Sequence, residues 1–437
     1  MVMSCTKAAK LEILVLVAAG ILFFDPGRGY ARESFELHDS LHGAYVGFSY
    51  SPALQGVTDF KIGEPFNNGT RAVIPYKHDA GAEVLRADKF DWTATDTKIA
   101  FGNSSIAAMA GSVGLAHKGA RMELEVGHRS FPAHFHNESG DHDNVTGFYL
   151  LAKGLAFDVV NGNTQELRDG LAAQSPEDIE YFAHSLKASH PDIDKMICKN
   201  GQKFIMGLWG SHTVDGVSLK RGDEYGSDCS GAGLDRHDYW YNSRRASGLN
   251  AAVSGRGSGK WPNVSKTQTW YSGGKRPGVD ASAQVAGEIT DMNSGNKIIV
   301  ARLLAKTVEG GEVVEIRSVT STAVMVNACY DLMFVGGGSL VPYACVGAGG
   351  DFVAVAGRVT PKPAYKLKAG LSYKLSSSVY AHLGGYIHHV IGDHEYDNLP
   401  VYRLIDDSSP DGRTKDYAVA SFGLSYVGCE LGVRFAF

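Results

Sequence analysis

The run Cys429-Glu430-Leu431-Gly432-Val433-Arg434-Phe435-Ala436-Phe437 alternates strictly. Successive strand side chains point to opposite faces, so Cys429, Leu431, Val433, Phe435 and Phe437 share one side. Glu430, Gly432, Arg434 and Ala436 share the other. A clean apolar face opposite a charged one suits a wall strand of a membrane barrel, apolar toward lipid and polar toward the lumen.

The pattern recurs far away in the chain. Ala120, Met122, Leu124 and Val126 oppose Arg121, Glu123, Glu125 and Gly127, and Tyr365, Leu367, Ala369, Leu371, Tyr373 and Leu375 oppose Lys366, Lys368, Gly370, Ser372 and Lys374. Tyrosines end the second segment, as they do in interfacial girdles. Val324, Val326, Ala328, Tyr330 and Leu332 alternate with Met325, Asn327, Cys329 and Asp331, and Ala44 to Tyr50 alternates too. Stretches 106–115, 146–155 and 379–390 read as further strands, with Lys118-Gly119 a tight turn. After Ala418 the apolar phase runs through Ala420, Phe422, Leu424 and Tyr426, then moves by one at Val427-Gly428, which predicts a β-bulge.

The expected architecture is a transmembrane antiparallel outer-membrane β-barrel of about 8 to 12 strands, an even number. Its lumen-facing candidates are Arg121, Glu123, Glu125, Lys366, Lys368, Lys374, Glu430 and Arg434. Their mixed signs imply a polar, water-filled interior without a set ion preference. A soluble β-sandwich is the competing reading of the same alternation.

Composition agrees with many strands joined by turns: 53 Gly and 20 Tyr against 14 Pro in 437 residues. A net charge of −5 speaks against nucleic acid as a partner. Residues 1–31 read as a secretory signal peptide, with Lys7 and Lys10 ahead of an apolar run from Ile13 to Phe24 and a cleavage site near Gly29-Tyr30-Ala31. Elsewhere no stretch approaches the roughly 18 to 20 apolar residues of a spanning helix. An exported chain of this kind is soluble or a barrel. Export also permits disulfides. Cys198 and Cys229 flank a loop-like region and form the preferred pair, whereas Cys329, Cys345 and Cys429 lie in strand patterns as small apolar residues.

Barrel strands are thus expected in 32–160 and 311–437, framing an insertion at 161–310. Within it, Ser175-Pro176-Glu177-Asp178 starts a helix that runs to Ser189, with serine as N-cap and proline at the first position. Asn296 to Glu309 reads as a second helix stopped by Gly310-Gly311. Residues 199–280 show no sustained period and read as a long, exposed, irregular loop of the kind barrels carry on their outer side. His128, His134, His136 and His142 crowd one segment, but no ligand spacing accompanies them, and a solvated loop is the preferred reading. The glycine runs at 336–338 and 347–350 lack the partners of a phosphate or dinucleotide loop. No catalytic motif is recognised, so neither enzyme activity nor cofactor nor metal is expected.

Several longer motifs resemble the variable major surface proteins of Anaplasma, within the outer-membrane surface antigens shared with Ehrlichia. They are Gly43 to Ala53, Leu304 to Arg317, Val324 to Asp331, Val341 to Cys345 and Gly432 to Phe437. The resemblance implies a hypervariable segment at about 199–280, marked by Cys198, Cys229, Trp261-Pro262 and an alanine, with Ala281 preferred over Ala283 in Asp280-Ala281-Ser282-Ala283. It implies a surface antigen of an intracellular bacterium, varying antigenically and acting as a passive porin for small hydrophilic solutes. It also implies that the terminal strand, through Phe435 and Phe437, is read by the outer-membrane assembly machinery. Expected partners are outer-membrane lipids, host-cell surface ligands and antibodies, with homo-oligomerisation left open. The alternative is a non-conducting barrel serving as an adhesin or immune decoy.

Overall fold

The computed structural model describes residues 43–54, 56–64, 70–77, 85–95, 98–104, 108–135, 146–198, 248–253, 261–264, 279–332, 340–404 and 417–437, with short pieces between 202 and 229. The signal segment 1–31 and most of 199–280 lie outside the described residues.

Fifteen strands form one antiparallel sheet: β1 (Gly43–Tyr50), β2 (Ala53–Leu54), β3 (Val57–Gly63), β4 (Ala72–Tyr76), β5 (Ile99–Phe101), β6 (Met109–His117), β7 (Ala120–Phe135), β8 (Thr146–Ala152), β9 (Glu312–Glu315), β10 (Ser318–Asp331), β11 (Leu340–Val355), β12 (Arg358–Lys374), β13 (Val379–Val390), β14 (Glu395–Arg403) and β15 (Tyr417–Ala436). Eight of them, β1, β6, β7, β10, β11, β12, β13 and β15, pair each with the next. β15 then pairs back with β1, Phe435 opposite Val46 and Val433 opposite Phe48, which closes an eight-stranded barrel. Lys118-Gly119 makes the β6–β7 turn with φ of 50° and 80°, the left-handed pair a two-residue hairpin needs. That turn, and 375–378, lie at one end; the long connections 51–108, 136–317 and 391–416 leave from the other.

Phe48, Met109, Leu115, Met122, Leu124, Val326, Tyr330, Leu383 and Leu431 are all 45% or more exposed on the outer wall. Leaving each such side chain in water instead of apolar surroundings costs about 1.5–3 kcal/mol, a sum no soluble sandwich carries on its surface. Lipid supplies those surroundings.

The expected bulge at Val427-Gly428 is absent. Pairing of β15 with β13 runs unbroken from Phe435–Val379 to Ser425–His389, and Ala418, Ala420, Phe422, Leu424, Tyr426, Glu430 and Arg434 all face inward. What changes near Val427 is the medium each face meets. Below it the inner face is polar and the outer apolar, whereas above it the inner face is apolar, packed against loop strands. β10 makes the same exchange, with Val319, Ala323 and Met325 inward above Asn327 and Asp331. The irregularities beside β15 sit on its neighbours instead: on β3, where Asp59 takes a φ of 52° and the register shifts opposite Ser421 and Gly423, and on β14, where Asn398 takes a φ of 59° and the register shifts between Tyr396 and Leu399.

Beyond the wall the strands continue. β2 and β3 prolong β1 along β15, β14 prolongs β13, and β9 leads into β10. β9 pairs with both β14 and β8, and β8 with β4, so a four-stranded sheet crosses the barrel mouth. On β9, β8 and β4 the alternation is buried on both sides, while β14 keeps Asp397, Pro400 and Tyr402 exposed. Tyr149, Leu151, Val314 and Ile316 join a core with Phe131, Val319 and Phe422 in the mouth. Phe148, Leu150, Val313, Ile74 and Tyr76 join a second core with the helices above.

Those helices are α1 (Gly154–Asn161), α2 (Thr164–Ala172), α3 (Pro176–Ser189), α4 (Pro191–Asp194), α5 (Leu249–Val253), α6 (Ser282–Thr290) and α7 (Ser294–Thr307). α3 starts as expected: Ser175 Oγ accepts the Asp178 N–H at 3.1 Å, with Pro176 at the first position. α7 begins two residues before the expected Asn296, because Asn293 caps it through the Asn296 N–H, and it ends at Thr307, two residues short of Glu309. α1 and α2 were not expected. They are short and turn on Gly162 at a φ of 73°, so neither presents a long helical period. Part of the 161–310 insertion is therefore a folded helical layer.

Candidate functional site: a packed lumen beneath a helical layer

All eight lumen candidates are on inward positions. Arg121, Glu123, Glu125, Lys366, Lys368, Glu430 and Arg434 are buried in mid-wall, and Lys374 is half-buried at the short-turn end. The expectation of a water-filled interior does not hold. Exposure of the seven runs only from 1% at Lys366 to 7% at Lys368, whereas a channel wets its lining. Eight strands enclose a space that side chains can fill.

They fill it with bonds across the lumen. The Lys368 ammonium from β12 meets Glu123 of β7 at 3.2 Å and Glu430 of β15 at 3.5 Å, and also pairs with Glu125. Lys366 pairs with Glu125. Arg121 Nη2 lies 3.0 Å from Asp331, and Arg434 donates to Ser372 Oγ at 3.0 Å. Tyr45 donates to Glu123, Tyr343 to Glu430 (both 2.8 Å), and Asn327 donates to both Glu123 and Glu125. Between Gly47, Ser112, Glu123, Lys368, His382 and Arg434 a gap of about 10 Å³ remains, room for a single water. Gly347 is required here, since a Cβ would collide with Asn327 Oδ1.

Nearer the mouth, Arg129 donates to Tyr386 Oη at 2.9 Å and Ser51 Oγ at 2.8 Å, and His388 Nε2 lies 2.8 Å from Asp351, which also accepts from Ser321. Sequence reading missed this upper group. Arg129 follows Arg121, Glu123 and Glu125 in the same phase, so extending the alternation past Gly127 finds it. Cys329 and Cys345 also need correction: directly opposite on β10 and β11, they are joined by a disulfide inside the wall. The hairpin register, not visible in spacing alone, brings them together.

In the helical layer Cys198 and Cys229 are joined, as expected, and both are buried. Trp261 is buried, with Nε1 donating to Leu171 O at 2.7 Å, and Pro262 O accepts the Ala281 N–H at 3.0 Å. Cys198, Cys229, Trp261 and Ala281 belong to one core with Leu171, Ile193 and Val285. The five marker positions are therefore attachment points on the helices. Asp194, where α4 ends, accepts the Asn250 N–H at 2.8 Å; burial pushes its carboxyl above the usual range, partly opposed by that bond. Asp158 is raised by burial in the same way, against the pull of Asn163 and Arg71. Glu309 receives the Leu155 and Ala156 N–H groups at the start of α1.

Of the clustered histidines, His128 bonds Thr322 Oγ1 on the outer wall and His134 lies further along β7; His136 and His142 are outside the described residues. Phe435 and Phe437 face outward beside the closing seam, where the Phe437 N–H bonds Ala44 O at 3.0 Å.

Residues 37–203 and 254–437 match the family described as surface antigen. Major surface antigen 4 of Anaplasma marginale is 33% identical over 125 residues, 29% of this chain and 42% of that protein. The aligned part thus spans under half of this relative. Among solved structures, the outer membrane protein OprG of Pseudomonas aeruginosa aligns over 92% of this chain and 99% of its own at a TM-score of 0.34 and 4% identity. Neisserial surface protein A aligns over 91% and 99% at 0.26 and 6%. Likeness that low adds no weight to the strand pairing. The closed barrel, its lipid-facing wall and the match over both flanks establish that this surface-exposed outer-membrane protein belongs to the surface antigen family.

Proposed function

We propose that the barrel is a sealed anchor that displays the helical layer and the 199–280 segment to the host, without passing solutes and without catalysis. The observation that carries this reading is the sheet β14-β9-β8-β4 across the mouth, three of whose strands, β9, β8 and β4, are buried on both faces, above a lumen already filled by ion pairs. It favours the non-conducting alternative over the porin. The end bearing the long connections faces outward by the rule for bacterial barrels, which puts the helices where antibodies and host ligands meet them. Antigenic variation belongs to the same reading. The family match skips 204–253, and Cys198, Trp261 and Ala281 fasten the flanks of that span to the helices. The refolded full chain in planar bilayers is expected to give no conductance above background. Reproducible single-channel steps would restore the porin reading.

A further inference from the structure

The apolar outer wall is not equally tall all round. On β7 the outward positions are apolar only from Ala120 to Val126 and then turn to His128 and Ser130; on β10 they run from Leu332 to Val324 and then turn to Thr322 and Thr320. On β12 every outward position from Val359 to Leu375 is apolar, and on β11 every one from Leu340 to Ala354. At ~3.3 Å per residue and a tilt of ~40°, β12 presents roughly 40 Å of apolar height, against roughly 15–20 Å on β7 and β10 and a usual band of ~25 Å.

The excess lies toward the long-loop end, on a ribbon formed by the β11–β12 hairpin. Its inner face, Val353 and Val355, is buried in the mouth core, while Phe352, Val359 and Ile391 are 43%, 52% and 47% exposed. Pairing of β12 with β13 stops at Ala364–Val390, and the Ile391 N–H then bonds Pro363 O. Pro361 and Pro363 therefore occupy positions whose N–H groups would face the edge where β13 leaves. Proline has no such group, so neither position presents a donor that lipid could not satisfy. Arg358 stands exposed at the tip, placed to reach headgroup phosphate as lipid-flanking cations do.

We propose that the outward face of the β11–β12 ribbon is a lipid-binding surface, immersed in the acyl chains of the outer leaflet, so that the membrane stands higher on this flank than on β7 and β10. The ribbon is continuous with the lipid-facing wall, carries no outward charge between Val359 and Leu375, and has no N–H at edge positions 361 and 363, where strand addition by a protein would use one. This goes beyond the sealed-anchor reading and needs only a barrel in a bilayer.

The test places p-benzoylphenylalanine singly at Phe352, Val359, Leu367 and Thr320 of the full chain in phosphatidylcholine vesicles, with heat-modifiable mobility as the check on folding. After irradiation, lipid adducts are read by mass spectrometry. Leu367 reports insertion itself. Lipid adducts at positions 352 and 359 comparable to those at 367, and at least five-fold fewer at 320, are expected. Adducts at 367 but not at 352 or 359, equal adducts at 320, or cross-links from 359 to a second copy would each overturn the proposal.

Discussion

Lys368 is the residue on which the lumen turns. Its ammonium serves three carboxylates from two other strands, so its loss leaves Glu123, Glu125 and Glu430 short of compensation in a dry space. Breaking a buried pair from one side costs about 3–5 kcal/mol. Lys368→Met is therefore expected to lower the urea midpoint of the barrel, followed by heat-modifiable mobility, and adding Glu430→Gln is expected to recover some of the loss. An unchanged midpoint in the single variant would mean that the network does not hold the lumen. Asp194 offers a test by pH. Its folded pKa is raised, so the fold favours the protonated acid; stability from this group is highest below the unfolded value of about 3.9 and declines as pH rises through the folded value. Asp194→Asn keeps an acceptor for Asn250 and is expected to flatten the dependence above about pH 4, read as hydrogen exchange in α4 and α5. At this scale the lumen residues were legible because charges that recur at every second position, opposite an apolar face, mark a single lined surface. Asp351 and His388 were not: Asp351 follows Gly349 and Gly350, and His388 is followed by His389, so on one side of each the alternation loses its contrast between apolar and polar.

At the scale of elements, β15 shows both the reach of pattern reading and its limit. Its membrane half was legible from the terminal nonapeptide. The upper half was misread as a bulged strand because alternation reports which residues share a face, not which medium the face meets. An apolar inner face above a polar one looks like a slipped phase when the loop strands that cover it are unknown. α1 and α2 escaped for another reason: they owe their order to burial of Leu155, Val159, Leu167 and Leu171 beneath Trp261 and Val285, partners about 90 to 130 residues away in the chain. The attachment of 199–280 rests on that same core. Trp261→Ala removes a large buried ring and its bond to Leu171, a loss of about 3–5 kcal/mol. It is expected to raise hydrogen exchange in α2 and α6 while β12 and β15 keep their protection. Equal loss of protection in the barrel would show that the two layers fold as one unit.

At the scale of the whole molecule, the three tiers are not beads on a string. The helical layer is inserted between β8 and β9, and those strands lead back to β7 and β10 of the wall, while β4 and β14 reach the same sheet from two other connections. The eight-stranded closure followed from the sequence only as a range, because strand number depends on which apolar runs pair below the membrane surface and which pair above it. The crossing of β9 from β10 toward β14 has no local signature at all.

That crossing has a mechanical consequence. A tug on the helices, as from a bound antibody, enters the barrel lengthwise along β7 and β10, which are bonded to the rest of the wall over nine residue pairs with β6 and thirteen with β11. Load along paired strands is shared by the whole ladder at once, whereas load across them would break its bonds in succession. The display is thus fastened to its membrane seat in the direction that resists tearing.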